Sequence, residues 1–129
     1  MNATDASVAT DPDVVVYRIT GAFFFGAAST VGATLDRIAD QRKAFVIDFS
    51  AVPLTDSTAA NTIEAIAHKA TRRGIKVYVT GASKNNRAVL MKQGVRPPLV
   101  RYKDTIEHAV ESARRAVHAP DEPDTSPGE

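Results

Sequence analysis

The chain has 129 residues, of which 43% are hydrophobic, carries a formal net charge of +1 and contains no cysteine. This length is typical of one ordinary domain with a real core, and the lack of cysteine excludes disulfides and thiol chemistry. The apolar runs are far shorter than the ~20 residues of a membrane-spanning helix, and the amino terminus does not resemble a secretory signal. We therefore expect a soluble, cytoplasmic protein.

The predicted secondary structure alternates between strands and helices. In chain order, we predict strands over 14–20 and 22–25, a helix over 27–41, a strand over 44–49, a helix from about 57 to 73, a strand over 75–80, a helix over 84–93, a strand over 99–102 and a helix from about 105 to 117. This order predicts an α/β fold with a mostly parallel sheet of about four to five strands and about four helices. The first two strands are adjacent in sequence, so they can pair antiparallel and make the sheet mixed.

Three parts of the chain differ in composition. Residues 1–13 are polar without periodicity and should form a flexible lead-in, and residues 14–118 should form the folded domain. Residues 119–129 hold three prolines and four acids, so we expect a disordered tail.

The charge is unevenly distributed along the chain. Residues 1–64 carry four Lys or Arg against eight Asp or Glu, whereas residues 65–118 carry twelve against three. A basic carboxy-terminal half suits an anionic partner, although a solvated basic face is an equally good interpretation.

Three short motifs predict local structure. Ser83 can cap the helix that starts at Lys84, and Asp104 with Glu107 has the spacing of a capping box. In the run FFF, strand alternation puts Phe23 and Phe25 on one face and Phe24 on the other. We expect these rings in the core on both faces; the alternative is one exposed ring that contacts a partner.

The stretch Thr55-Asp56-Ser57-Thr58 lies where a strand gives way to a helix. Asp56 can cap the helix by accepting hydrogen bonds from its free amides, which leaves Ser57 at the first helical position with an exposed hydroxyl. The simplest interpretation is a cap and nothing more. The functional interpretation is a regulatory edge that is phosphorylated on Ser57 or Thr58, because a helix amino terminus tolerates a phosphate.

The sequence offers no recognisable catalytic or metal-binding motif. His68, His108 and His118 lack metal-ligand spacing, and without cysteines a zinc site is not expected. No phosphate-binding loop is found, and Thr80-Gly81-Ala82-Ser83 lacks the further glycines of a dinucleotide-binding turn. We predict a protein that is not an enzyme and binds no cofactor.

Two of these segments carry a family resemblance. The segment ITGAFFFGA at 19–27 and Asp56-Ser57-Thr58 resemble the motifs of a STAS domain, and the first is typical of the cytoplasmic carboxy-terminal STAS domain of SulP-type sulfate and anion transporters. The resemblance covers about residues 14–117. In the anti-sigma factor antagonists that share this fold, the serine after the aspartate is phosphorylated, a role that would fall on Ser57. Ala59 stands where the antagonists usually have glycine.

The resemblance implies a non-enzymatic regulatory domain that docks partners at the edge formed by residues 55–58. The implied partners are the transmembrane domain of a parent transporter, a cytosolic regulatory protein, a second copy of the chain or an anionic membrane surface, and no nucleic acid is expected. One alternative is a stand-alone antagonist-like switch that is phosphorylated on Ser57, and another is a nucleotide-binding regulatory domain. A transporter STAS domain follows a membrane domain, so the chain is either an excised fragment or a stand-alone protein.

Overall fold

The computed structural model describes residues 13–23, 25–39 and 42–117. Its elements are β1 (Val14–Thr20), α1 (Phe25–Ile38), β2 (Ala44–Ala51), α2 (Ser57–Arg72), β3 (Lys76–Thr80), α3 (Lys84–Lys92), β4 (Val100–Lys103) and α4 (Ile106–Val117). The described residues do not include the predicted lead-in, apart from Asp13, or the predicted tail. They also do not include Phe24 and His118.

The four strands form one sheet in the order β1-β2-β3-β4, and every pair of neighbours is parallel. A parallel pair needs a crossover connection, and α1, α2 and α3 supply the three that this order requires. The predicted α/β class with four helices is confirmed.

The strand predicted over 22–25 does not form, so this prediction is wrong and the described sheet is not mixed. Phe23 makes only an isolated parallel bridge with Thr55, and α1 already begins at Phe25. Gly21 turns the chain with a φ of +82°, a value that glycine adopts without strain. The chain then enters α1 at Phe25 and does not continue as a strand. Phe23 is fully buried and meets the Phe49 ring edge-on, with centroids 5.4 Å apart.

The two faces of the sheet are covered unequally. On one face, α1, α2 and α3 enclose the larger core, whose members include Val15, Phe45, Val79, Ile63 and Leu90. On the other face, α4 packs Ala109 and Ala113 against a smaller cluster of strand residues, which are Val14, Val16, Ala44, Val46 and Tyr78. The short, mostly apolar strands follow from this arrangement, because the central part of the sheet is buried on both sides.

Of the caps predicted for α3 and α4, the first is confirmed and the second is wrong. Ser83 caps α3 by accepting a hydrogen bond from Asn86 N at 3.1 Å. The capping box predicted from Asp104 is wrong, because β4 extends to Lys103 and α4 begins only at Ile106. Thr105 therefore occupies the capping position, where its Oγ1 accepts from His108 N at 3.1 Å.

Candidate functional site

The carboxyl ends of all four strands meet at one edge of the sheet, because the strands are parallel. The loops that leave this edge are 21–23, 52–56, 81–83 and 104–105. We call this side of the molecule the loop edge. It contains every residue that the sequence singled out as a candidate site.

Asp56 is the amino-terminal cap of α2. Its backbone is extended, and its Oδ1 accepts a hydrogen bond from Thr58 N at 2.7 Å. Ser57 is thereby the first helical residue and is exposed, as the capping pattern predicts, and Thr58 is exposed as well. Thr55 differs from its neighbours, since it is buried and its hydroxyl has no hydrogen-bond partner among the described residues. A partner at this edge can reach the hydroxyls of Ser57 and Thr58, and not that of Thr55.

The loop that carries Asp56 is held by backbone hydrogen bonds to the connection after β1. Phe23 N donates to Leu54 O at 2.8 Å, and Asp56 N donates to Phe23 O at 3.0 Å. On its other side, the buried Asn86 of α3 donates from Nδ2 to Val52 O at 2.8 Å. Both neighbours of the loop thus fix its position, so Ser57 is presented on a firmly held helix start.

Leu54 lies on this loop with 55% of its surface exposed, and it is the large hydrophobic side chain that the described part of the chain leaves most open. Single exposed apolar residues are common on protein surfaces. Leu54, however, lies only three residues before the exposed Ser57, so it adds an apolar side chain to a polar edge. This exposure was not predictable from the sequence, because it depends on how the loop is held.

A buried carboxylate that was not predicted from the sequence lies beneath the loop edge. Asp48, near the end of β2, is only 2% exposed. Its Oδ1 accepts from Thr80 Oγ1 at 2.6 Å and its Oδ2 from Ser50 Oγ at 2.5 Å, while Arg18 Nε lies 3.6 Å from Oδ2. The available signal was a single charge inside the otherwise apolar run of residues 44–49.

Asp48 links the ends of three strands. Arg18, Asp48 and Thr80 occupy matched positions on β1, β2 and β3, so their side chains lie on one face. The next turn packs just as closely: an ideal Cβ on Gly81, where φ is +69°, would stand 2.7 Å from Ser50 Cβ. The hydrogen bonds of Asp48 and the close packing of Gly81 both hold the strand ends from which the loops leave. The packing at residue 81 requires glycine.

No catalytic arrangement is found in the described part of the chain. No cluster of three or more His, Cys, Asp or Glu side chains occurs there that could hold a metal ion. His68 Nε2 lies 2.7 Å from Glu64 Oε2 on the outer face of α2. A cavity of about 180 Å³ lies at the opposite edge of the sheet, and neither a carboxylate nor an imidazole is among its lining residues. Within residues 13–23, 25–39 and 42–117, no helix is long and apolar enough to span a bilayer.

Comparison with known proteins places this geometry in a family. The family model of the STAS domain matches residues 5–113. Among solved structures, the SulP transporter STAS domain of Vibrio cholerae is 27% identical over 86% of this chain and 88% of that chain, with a TM-score of 0.71. A sulfate transporter family protein of Wolinella succinogenes is 26% identical over 92% of this chain and 100% of that chain, with a TM-score of 0.75.

The anti-sigma factor antagonist SpoIIAA, solved in its unphosphorylated form, shares the fold. It is 17% identical over 82% of this chain and 94% of that chain, with a TM-score of 0.64. No curated protein sequence matches the chain. The family model covers most of the chain, and the chain therefore belongs to the STAS domain family.

Proposed function

We propose that this chain is the cytoplasmic regulatory domain of a SulP-type anion transporter and that it catalyses no reaction. The observation that carries the proposal is the 27% and 26% identity, over most of both chains, to two domains whose names refer to SulP and sulfate transport. The segment ITGAFFFGA at residues 19–27 supports it, because this segment resembles the turn typical of the transporter branch.

The proposed mode of action is docking at the loop edge. Ser57 and Thr58 are exposed on a helix start that hydrogen bonds hold from two sides. A rigid surface loses little conformational entropy on binding. The partner would be the transmembrane domain of the parent transporter, a cytosolic regulatory protein or a second copy of the chain. Docking would bias the transport cycle or the amount of transporter in the membrane.

The first experiment determines the size of the native polypeptide. An antibody to the purified chain would probe membrane and soluble fractions of the source cells. A band several times larger than 13.8 kDa in the membrane fraction supports the proposal. A band near 13.8 kDa in the soluble fraction contradicts it.

The second experiment measures sulfate uptake by the full-length transporter. We expect Ser57→Glu to change uptake by about twofold or more, since it adds charge at the docking edge. Thr71→Glu is the matched control, because it puts the same charge on the exposed far end of the same helix. If deletion of the whole domain left uptake and membrane abundance unchanged, the regulatory role would be excluded.

A stand-alone switch that is phosphorylated on Ser57 is the second candidate. It is favoured by the exposed Ser57 hydroxyl beside the capping Asp56 and by the shared fold with SpoIIAA. A phosphate there would gain from the helix amino terminus, although Asp56 would repel it. Phosphate-affinity gels of cell extracts should show a shifted band that Ser57→Ala abolishes and Thr58→Ala preserves. The absence of a shift in every growth condition would count against this candidate.

A further inference from the structure

The segment from Ser83 to Lys103 contains six basic residues and no acid. It forms α3, the loop that follows and β4, which is the last strand of the sheet. Lys103 pairs with Thr80 and so lies on the sheet face that α4 covers, whereas α3 covers the other face. We define the cationic flank by four of the six residues, Lys84, Arg87, Lys92 and Arg96, all of which are exposed.

Four basic residues elsewhere in the fold, Arg18, Lys69, Arg73 and Arg115, lie within 4 Å of an acid. Asp36 lies 2.8 Å from Lys69 Nζ and 3.6 Å from Arg73, and this contact with Lys69 lowers the pKa of the Asp36 carboxyl. Glu111 lies 3.4 Å from Arg115 on α4. By contrast, within the described ranges no carboxylate forms an ion pair with any residue of the cationic flank. Within the described fold, the cations of the flank therefore have no carboxylate within ion-pair distance, and the nearby Glu64 pairs with His68 instead.

Arg87 is also held in a fixed place. Its guanidinium carbon lies 4.7 Å from the centre of the Tyr102 ring, a cation–π contact. Tyr102 is itself anchored, because its hydroxyl donates to Val95 O at 2.5 Å. An isolated surface lysine is stabilised by water alone, because fixing its flexible side chain in one geometry costs about as much free energy as an ion pair returns. A guanidinium held on a ring is prepared to donate two parallel hydrogen bonds to a carboxylate.

We propose that the cationic flank docks an acidic protein surface, with Arg87 as its central contact. Complementary charge would steer the partner onto the flank, and a carboxylate bound by Arg87 would fix its position. A membrane surface fits less well, because a membrane-bound helix buries an apolar face in the lipid boundary, whereas α3 buries its Leu90 in the domain core. A single-stranded nucleic acid would use exposed aromatic rings for stacking, and Tyr102 already lies under Arg87. The proposal does not depend on Ser57 or on a parent transporter.

The test uses the full chain and a synthetic helical peptide rich in Glu and Leu, with binding measured by calorimetry and mapped by NMR. We expect the shifted resonances to cluster in residues 84–103 and the affinity to fall as salt rises. Arg87→Gln should weaken binding about tenfold and Arg87→Lys about threefold, because lysine keeps the charge and loses the planar fork. Arg115→Gln is the matched control and should leave the affinity unchanged.

Four results would overturn the proposal. An equal loss for Arg115→Gln would mean that only net charge matters. Tighter binding to vesicles of equal parts phosphatidylcholine and phosphatidylserine, or to a single-stranded oligonucleotide, would identify another class of partner. If binding appeared only after residues 119–129 were removed, the acidic tail of the chain itself would be the occupant. Ser57→Glu should leave peptide affinity unchanged, so a failure here is separable from a failure of the transporter proposal.

Discussion

At the scale of single residues, Asp48 is the charged side chain that the described part of the chain buries most completely. A buried carboxylate is tolerated only where hydrogen bonds and an opposite charge replace water. Thr80, Ser50 and Arg18 supply these partners from three neighbouring strands. Asp48 therefore links the strand ends that position the loop edge.

Asp48→Ala should lower the free energy of unfolding by about 2–3 kcal/mol, because it leaves Thr80 and Arg18 without their partner. The exposed fraction of the Arg18 side chain, 44%, keeps the loss at the lower end of what a fully buried pair would cost. Urea unfolding measures the change. Asp104→Ala removes an exposed carboxylate and serves as the control. Equal losses for the two variants would show that Asp48 does not link the strands.

Tyr102 should make the stability depend on alkaline pH. Burial raises its pKa to about 12, and the nearby Arg87 opposes this shift. The folded state therefore favours the neutral phenol, so this contribution is fully present below the unfolded pKa of 10.0 and is lost as the pH rises through about 12. Tyr102→Phe should reduce the decrease in unfolding free energy over this window, as urea unfolding at several pH values would measure. An unchanged pH dependence would contradict the prediction.

At the scale of the elements, three of the four helices that start at the loop edge have different capping residues. Asp56 caps α2, Ser83 caps α3 and Thr105 caps α4, and each side-chain oxygen accepts from an amide two or three residues ahead. A cap fixes the residue where a helix begins. The caps thereby determine which side chains are exposed at the edge, Ser57 among them.

Thr105→Ala should destabilise the protein by about 1 kcal/mol, because the amide of His108 loses its acceptor. Asp104→Ala should change stability by less than about 0.5 kcal/mol, since Asp104 is exposed and lies before the cap. Thermal unfolding of the two variants beside the wild type compares them directly. A larger loss of stability for Asp104→Ala than for Thr105→Ala would show that Asp104 is the capping residue after all.

At the scale of the whole molecule, α4 alone covers one face of the sheet. Ala109 and Ala113 are fully buried against Val16, Val46 and Tyr78. The opposite face has three helices and the larger core. The smaller layer is therefore the part of the fold that depends on a single element.

Removal of residues 104–129 should expose this apolar face and prevent stable folding, because apolar surface left in water favours aggregation. We expect strong binding of a hydrophobic dye and elution as aggregates in size-exclusion chromatography. A chain shortened only after residue 118 keeps α4 and should behave as the intact protein. A monomeric, cooperatively unfolding chain without α4 would contradict the prediction.

The features predictable from sequence are those governed by near neighbours along the chain. Apolar spacing indicated four helices and the strands between them, and their alternation indicated an α/β fold with a mostly parallel sheet. The Asp56 cap and the exposed Ser57 were also predictable, because the capping oxygen and the amide that it accepts from lie two residues apart. The role of Ser57 in regulation stays a prediction.

Tertiary structure decided the features that depend on residues far apart in sequence. The strand predicted for the phenylalanine run did not form, because Phe23 instead bonds to the loop that precedes α2. The burial of Asp48 and the contact of Arg87 with the Tyr102 ring likewise arise where separate strands and helices meet. Residue types and spacing determine local conformation, whereas burial and charge pairing are properties of the packed chain.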